Sequence, residues 1–284
     1  MSATADTLLR KLSKKTSRSS LAAMRFGDIV LYGIVAFFLM ALVFPSVFAP
    51  YDPLELSSSR LEPPSWAHWF GTDEAGRDIL SRTVYALRPS LGASLMVVGF
   101  SAFVGSTLGV IAGYRGGFPD AVLMRVIDVF LAFPYLILAI ALSVSMGAGV
   151  KTSIIVLSTL WWPSYARQFR GQVLALKTQA FVDSARVSLV PTRTIVFKHF
   201  WPHLAPHIAA RASMAVGNVI LALAALSFLG LGAQPPIPEL GSMIAKGRNY
   251  MLIAWWYSFF PGLVIVVIVL TSLAVSDRMQ QSGS

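Results

Sequence analysis

Five stretches of this chain, 29–51, 89–114, 129–150, 212–238 and 249–276, contain no Asp, Glu, Lys or Arg. Each is long enough to cross a bilayer as a helix, which takes roughly 20 largely apolar residues. A sixth stretch, 152–166, ends where Arg167 and Arg170 interrupt it. Those arginines suit a helix end, with stems along apolar surface and guanidinium groups at the headgroups, the helix running on toward Leu176. The expectation is an all-α polytopic membrane protein with six transmembrane helices. Composition agrees: 55% of residues are hydrophobic and 13% charged, whereas soluble domains carry about a quarter charged residues.

The net charge of +10 suits either nucleic acid or an anionic membrane surface, and its distribution decides between them. With the N-terminal tail inside, the inside segments 1–28, 115–125, 167–211 and 277–284 hold 16 of the 23 Lys and Arg but only the acids Asp6, Asp28, Asp120, Asp183 and Asp277. The outside segments are balanced. The positive-inside rule therefore places both termini in the cytoplasm, and the charge is a signature of topology, with no nucleic-acid partner implied. The first span has a basic leader but is too long for a signal-peptide core, and its end at Phe44-Pro45-Ser46 is a poor cleavage site, so it reads as an uncleaved anchor.

The organisation expected is a cytoplasmic tail 1–28, a first helix 29–51, an external segment 52–88, a five-helix core 89–276 and a cytoplasmic tail 277–284. Within the core, 173–205 is a long cytoplasmic loop. The external segment carries Trp66, Trp69 and Phe70 beside Asp73, Glu74, Arg77 and Asp78, enough to bury rings, pair charges and dock an external partner. Pro134, Pro163 and Pro261 fall inside spans, where each removes a backbone hydrogen bond and kinks its helix, as in bundles that enclose a pathway. Asp128, near the start of the third span, is a candidate for contact with the pathway or for helix packing, because an acid within a span is by default functional.

Several chemistries are excluded. There is no cysteine, hence no thiolate nucleophile or Cys-based metal site. Gly147-Ala148-Gly149-Val150-Lys151-Thr152 lacks the glycine that must precede the lysine of a P-loop, so no nucleotide site is expected in this chain. His199, His203 and His207 are spaced four apart, but Pro202 and Pro206 are expected to interrupt a helix there and no acid lies nearby, so no metal site is assigned. No Gly-x-Ser-x-Gly elbow is present and no catalytic residue is expected.

Two blocks carry a resemblance. One is Phe70-Gly71-Thr72-Asp73-Glu74-Ala75-Gly76-Arg77-Asp78-Ile79-Leu80-Ser81-Arg82; the other is Leu226-Ser227-Phe228-Leu229-Gly230-Leu231-Gly232-Ala233-Gln234-Pro235-Pro236. With Leu131-Ala132-Phe133-Pro134, Arg170-Gly171-Gln172-Val173 and Gly247-Arg248-Asn249-Tyr250, they make the chain resemble the second permease of the dipeptide/oligopeptide/nickel ABC importer family over roughly 30–275. The family's cytoplasmic coupling signature, an acidic residue followed by two alanines and then a glycine, is similar to Phe181-Val182-Asp183-Ser184-Ala185-Arg186-Val187, with Leu189 at the glycine position and Pro191 two residues on.

The resemblance implies a type I importer fold and a permease that forms half of a translocation pathway for di- or oligopeptides. Nickel, metal chelates or another small solute are the alternative cargo, and an ion-driven secondary transporter is the alternative of a different class. It also implies a homologous second permease, two cytoplasmic ATPase subunits that bind ATP and Mg, and an extracytoplasmic solute-binding protein. The segment Phe181 to Leu189 would be the coupling helix, with apolar Phe181, Val182 and Val187 filling a groove on an ATPase.

Overall fold

The computed structural model describes residues 26–180, 182, 190–191, 194 and 196–283. The chain divides into two compact units, Met1–Leu39 and Met40–Ser284. Helix α1, Phe26–Val43, supplies the described part of the first unit and runs into the second. It stops where Pro45 follows Phe44. Pro45 has no N–H to continue the ladder and restricts the residue before it, so the expected first span 29–51 is a helix to Val43, the short helix α2, Pro45–Phe48, and an extended exit at Ala49.

The second unit is built on α3, Ile79–Arg115. Its 37 residues rise about 55 Å, well beyond a hydrocarbon core of about 30 Å. It begins ten residues before the expected span at 89, so the expected external segment is helical from Ile79 on. The paired glycines Gly116 and Gly117, at φ +66° and +67°, turn the chain into α4, Gly117–Ala132. The third expected span is a broken one. α4 and α5, Tyr135–Met146, meet at Phe133–Pro134 with a bend of 86°. Helix α6, Val150–Lys177, runs through Arg167 and Arg170. A short π-helical turn, Val196–Phe200, leads into α7, Trp201–Phe228. A short α8, Leu240–Gly247, and a 3₁₀ turn, Arg248–Tyr250, precede α9, Trp256–Gly283, which carries the expected C-terminal tail as helix.

Helices α3, α7 and α9 are long and apolar enough to cross a membrane, and the bent pair α4–α5 passes the same test taken together. The described apolar part of α1 is Gly27–Val43, and α6 carries Lys151, Arg167, Arg170 and Lys177 along its length. The chain is thus a helical, multi-pass membrane protein.

The most extensive helix pairing in this unit is α3 against α6. Gly105, Gly109 and Gly113 lie every fourth residue along α3. A Cβ on Gly105 would sit 2.5 Å from both the Trp162 carbonyl oxygen and Tyr165 Cβ, one on Gly109 would run into the Ala166 backbone, and one on Gly113 would sit 3.0 Å from the Arg170 carbonyl oxygen. Lipid tails are as apolar as leucine, so helices in a bilayer associate through such close van der Waals contact, which small residues permit. Val156, Leu157, Tyr165, Phe169 and Val173 of α6 are buried in the core that results.

Candidate functional site

At the end of the bundle where α3 and α6 finish and α4 begins, cationic side chains of α6 reach across to its neighbours. Arg170 donates from Nε and a terminal nitrogen to the two carboxylate oxygens of Asp120, at 2.5 and 2.6 Å. Two turns on, Lys177 Nζ donates to the carbonyl oxygens of Gly113 and Tyr114, at 3.2 and 2.8 Å, satisfying free acceptors at the end of α3 and sitting 5.6 Å over the Tyr114 ring. Tyr114 in turn meets Phe200 edge to face at 5.7 Å. Nearer the break in α4–α5, Arg167 pairs with Asp128, both half exposed. Asp128 is therefore matched by a cation within the chain, a partner that spacing along one helix did not reveal. Pro134 is the N-cap residue of α5 at the bend.

The candidate coupling segment starts four residues beyond Lys177. Phe181, Asp183, Ser184, Ala185, Arg186, Val187 and Leu189 lie outside the described residues. Val182 is described and corrects one expectation. It is fully buried in the chain's own core cluster with Leu176, Phe200 and Leu204, so it is not free to fill a groove on a partner. The prolines expected to interrupt the helix beyond it are also accommodated. Pro202 sits in the first turn of α7, where no N–H is required, and α7 continues through Pro206. The His203 and His207 rings stand 6.1 Å apart on its surface.

At the opposite end, the block 70–82 is a folded structure. Asp73 is fully buried and accepts from the backbone N–H groups of Ala75 and Arg77 at 2.8 and 3.0 Å and from Arg77 Nε at 2.7 Å, with Arg82 Nε at 3.4 Å. Asp78 caps α3 by accepting from the Ser81 N–H and hydroxyl, both at 2.7 Å, and contacts His68 Nδ1 at 3.0 Å. Gly71, at φ +74°, lies where a Cβ would sit 2.5 Å from the Glu62 carbonyl oxygen and 2.6 Å from Trp256 Nε1, and Phe70 stacks on Phe260 at 4.0 Å. The loop is thereby clamped to the starts of α3 and α9. Asp73 and Asp78 serve the loop's own fold, while Glu74 and Arg77 are partly exposed beside each other. The second block joins helices likewise, its Leu231 carbonyl oxygen accepting from Gly149 N–H at 3.1 Å; just beyond it, Glu239 caps α8 while accepting from Ser90 Oγ at 3.0 Å.

Two features went unread in the sequence. The Gly105–Gly109–Gly113 repeat was visible as a small-residue period of four. The pairing of Asp120 with Arg170 was not, because the two are fifty residues apart and belong to helices whose adjacency only the fold provides.

Comparison with known proteins agrees with this architecture. Residues 105–282 match the family described as binding-protein-dependent transport system inner membrane component. The probable D,D-dipeptide transport system permease protein of Escherichia coli is 38% identical over 235 residues, covering 82% of this chain and 79% of that protein. The dipeptide transport system permease protein of Alkalihalophilus pseudofirmus is 35% identical over 96% of this chain and 88% of its own length. The glutathione transport system permease protein of Pectobacterium atrosepticum is 39% identical over 88% of this chain and 84% of its own length. Among solved structures, the inward-facing MetNI methionine ABC transporter aligns with a TM-score of 0.58 at 19% identity, covering 71% of this chain and 95% of that one, a likeness of fold.

Proposed function

The chain belongs to the binding-protein-dependent transport system inner membrane component family, and from that premise we propose that it forms half of the translocation pathway of a type I ABC importer for di- and oligopeptides. One observation carries the cargo: relatives at 35–39% identity over most of the chain are named for dipeptide, D,D-dipeptide or glutathione transport, all peptides or peptide-like. A homologous second permease completes the pathway, two cytoplasmic ATPases supply ATP hydrolysis with Mg, and an extracytoplasmic solute-binding protein delivers the peptide. Both termini are cytoplasmic in this reading, which puts the Asp73 loop outside and the Asp120–Arg170 end inside, within reach of the ATPases.

Coupling follows from mechanics. The chain has no P-loop, so force generated on a partner enters only by contact. The segment Phe181 to Leu189 receives that force, and its tether to the bundle runs through Val182 and α6. Arg170 and Lys177 then tie α6 to α4 and α3, so these helices move together.

The test is uptake of a labelled dipeptide by cells lacking and regaining this chain, with ATP depletion and an ionophore as separate arms. The expected result is uptake that needs the chain, fails on ATP depletion and survives the ionophore. Loss to the ionophore alone would identify an ion-driven carrier, and accumulation of nickel or a metal chelate in place of peptide would reassign the cargo. Reporter fusions after Ser276 and within 50–70 should report opposite sides of the membrane; the same side would sink the orientation.

A further inference from the structure

Helix α7 leaves one face uncovered. Leu204, Ala210, Ala215, Val219, Leu223 and Leu226 are buried, and at 100° per residue they lie away from a sector about 80° wide that holds positions 203, 207, 211, 214, 218, 221 and 225. In that sector His203, His207, Asn218 and Leu221 are exposed and Arg211, Met214 and Ala225 half-buried. The sector is polar over the N-terminal part of the helix and apolar beyond Asn218.

Arg211 lies at one edge of this sector, beside the buried face. Its guanidinium lies 5.6 Å over the ring of Tyr165, its Nε is buried without a hydrogen-bond partner, and no carboxylate among the described residues pairs with it. The side-chain amide of Asn218, two turns further into the apolar stretch, has no hydrogen-bond partner among the described residues either. Asn218 is exposed within the charge-free run 212–238 of a membrane-crossing helix, where an amide is strongly disfavoured against hydrocarbon and faces a water-filled path or another polar surface. Arg211, at the inner border of that run, rests on Tyr165 with no hydrogen-bond partner for its terminal nitrogens among the described residues. The ionisable groups on the face are all bases, so its complement is an anion. A guanidinium fork fits a planar carboxylate with two parallel N–H···O bonds.

Building on the permease reading, we infer that the His203–His207–Arg211–Asn218 face of α7 is a wall of the hydrated pathway and that Arg211 receives the carboxylate end of the passing solute. The apolar outer part, Leu221 and Ala225, lets side chains slide, and the basic inner part draws the charged end toward the cytoplasm.

Because the chain has no cysteine, an Asn218→Cys variant gives a single reporting thiol in this subunit. In membranes holding the assembled transporter, with its partner subunits free of reactive cysteines, the thiol is labelled with anionic sulfonatoethyl and cationic trimethylammonioethyl methanethiosulfonate. The expected result is reaction with both and a preference for the anion. Adding Arg211→Gln should cut the anion-to-cation rate ratio about fourfold at low salt, the Coulomb effect of one charge about 10 Å from two oppositely charged probes in water, and Arg211→Lys should keep it. A transported dipeptide at saturation should slow labelling of the Asn218→Cys protein. An unreactive thiol, as expected for a face covered by lipid or by the second permease, overturns the inference, as does a rate ratio indifferent to Arg211. Charge-selective labelling in a complex that fails to import dipeptides would instead sink the peptide reading and leave the anion-receiving wall standing.

Discussion

Asp120, in the first turn of α4, and Arg170, two turns before the end of α6, meet through both oxygens of the carboxylate at 2.5 and 2.6 Å. The Asp120 side chain is 11% exposed and the Arg170 side chain 28%, so water screens the pair only in part. A bidentate pair of this kind fixes orientation as well as distance. It locks the last turns of α6 to the start of the helix that breaks at Pro134; in the coupling proposed above, this is the contact that would pass movement of α6 to α4.

Asp120→Asn keeps the volume and removes the charge. The loss is expected to be about 1–3 kcal/mol, the range for leaving one member of a charged hydrogen-bonded pair unsatisfied, read as a lowered thermal midpoint of the purified complex. Exchange of the two charges, Asp120→Arg with Arg170→Asp, should recover part of it. A loss near zero for Asp120→Asn would mean the pair behaves as an ordinary surface ion pair.

Gly109→Leu should separate α3 from α6, because the Ala166 backbone occupies the space any side chain would need. Backbone cannot move aside as a flexible side chain can, and overpacking costs about 1–3 kcal/mol or more. Gly99→Leu on the same helix is the control, since nothing lies within 4 Å of a Cβ there. Expression and monodispersity of the two variants should diverge; equal behaviour would remove the glycine-mediated contact from the account.

Asp73→Asn should loosen the external loop more than loss of a surface charge would. Removal leaves Arg77 and the fully surrounded Arg82 without their shared carboxylate, and breaking a buried pair costs about 3–5 kcal/mol. Limited proteolysis within 55–78 should speed up at least tenfold, while Glu74→Gln, at a partly exposed position, should change it little. Equal cleavage of both variants would show that the loop is held by Phe70 on Phe260 and not by charge.

Ala185→Trp should uncouple ATP hydrolysis from uptake while leaving the subunit inserted, because a large ring overfills the contact proposed between the coupling segment and an ATPase. His199→Ala should have little effect. The measurement is ATPase rate and peptide uptake in the same vesicles. Normal uptake by the assembled Ala185→Trp complex would move the contact elsewhere, with the turn at 114–120 the next candidate.

Much of the fold was legible because bilayer thickness acts on sequence locally. A charge-free run of more than 20 residues states its own need for lipid, and the family resemblance is carried by contiguous blocks such as Phe70 to Arg82. Helix limits were less legible. The run 29–51 contains no charge, yet Pro45 stops its helix at Val43. The run 129–150 is apolar throughout, yet the backbone turns by 86° at Phe133–Pro134. The sequence offers Asp73 and Asp78 both for charge pairing and for docking an external partner, and the fold spends them on clamping and capping.

What the sequence determined by itself is what depends on neighbours along the chain: helical class, membrane residence and the lack of a P-loop motif. Only the tertiary structure decided which residues meet across helices. Asp120 finds Arg170, Asp128 finds Arg167, and Val182 turns into the core because α3, α4 and α6 converge at one end of the bundle. The open face of α7 is likewise defined by what the other helices do not cover. A single helix specifies its faces, but which face is buried depends on partners distant in sequence.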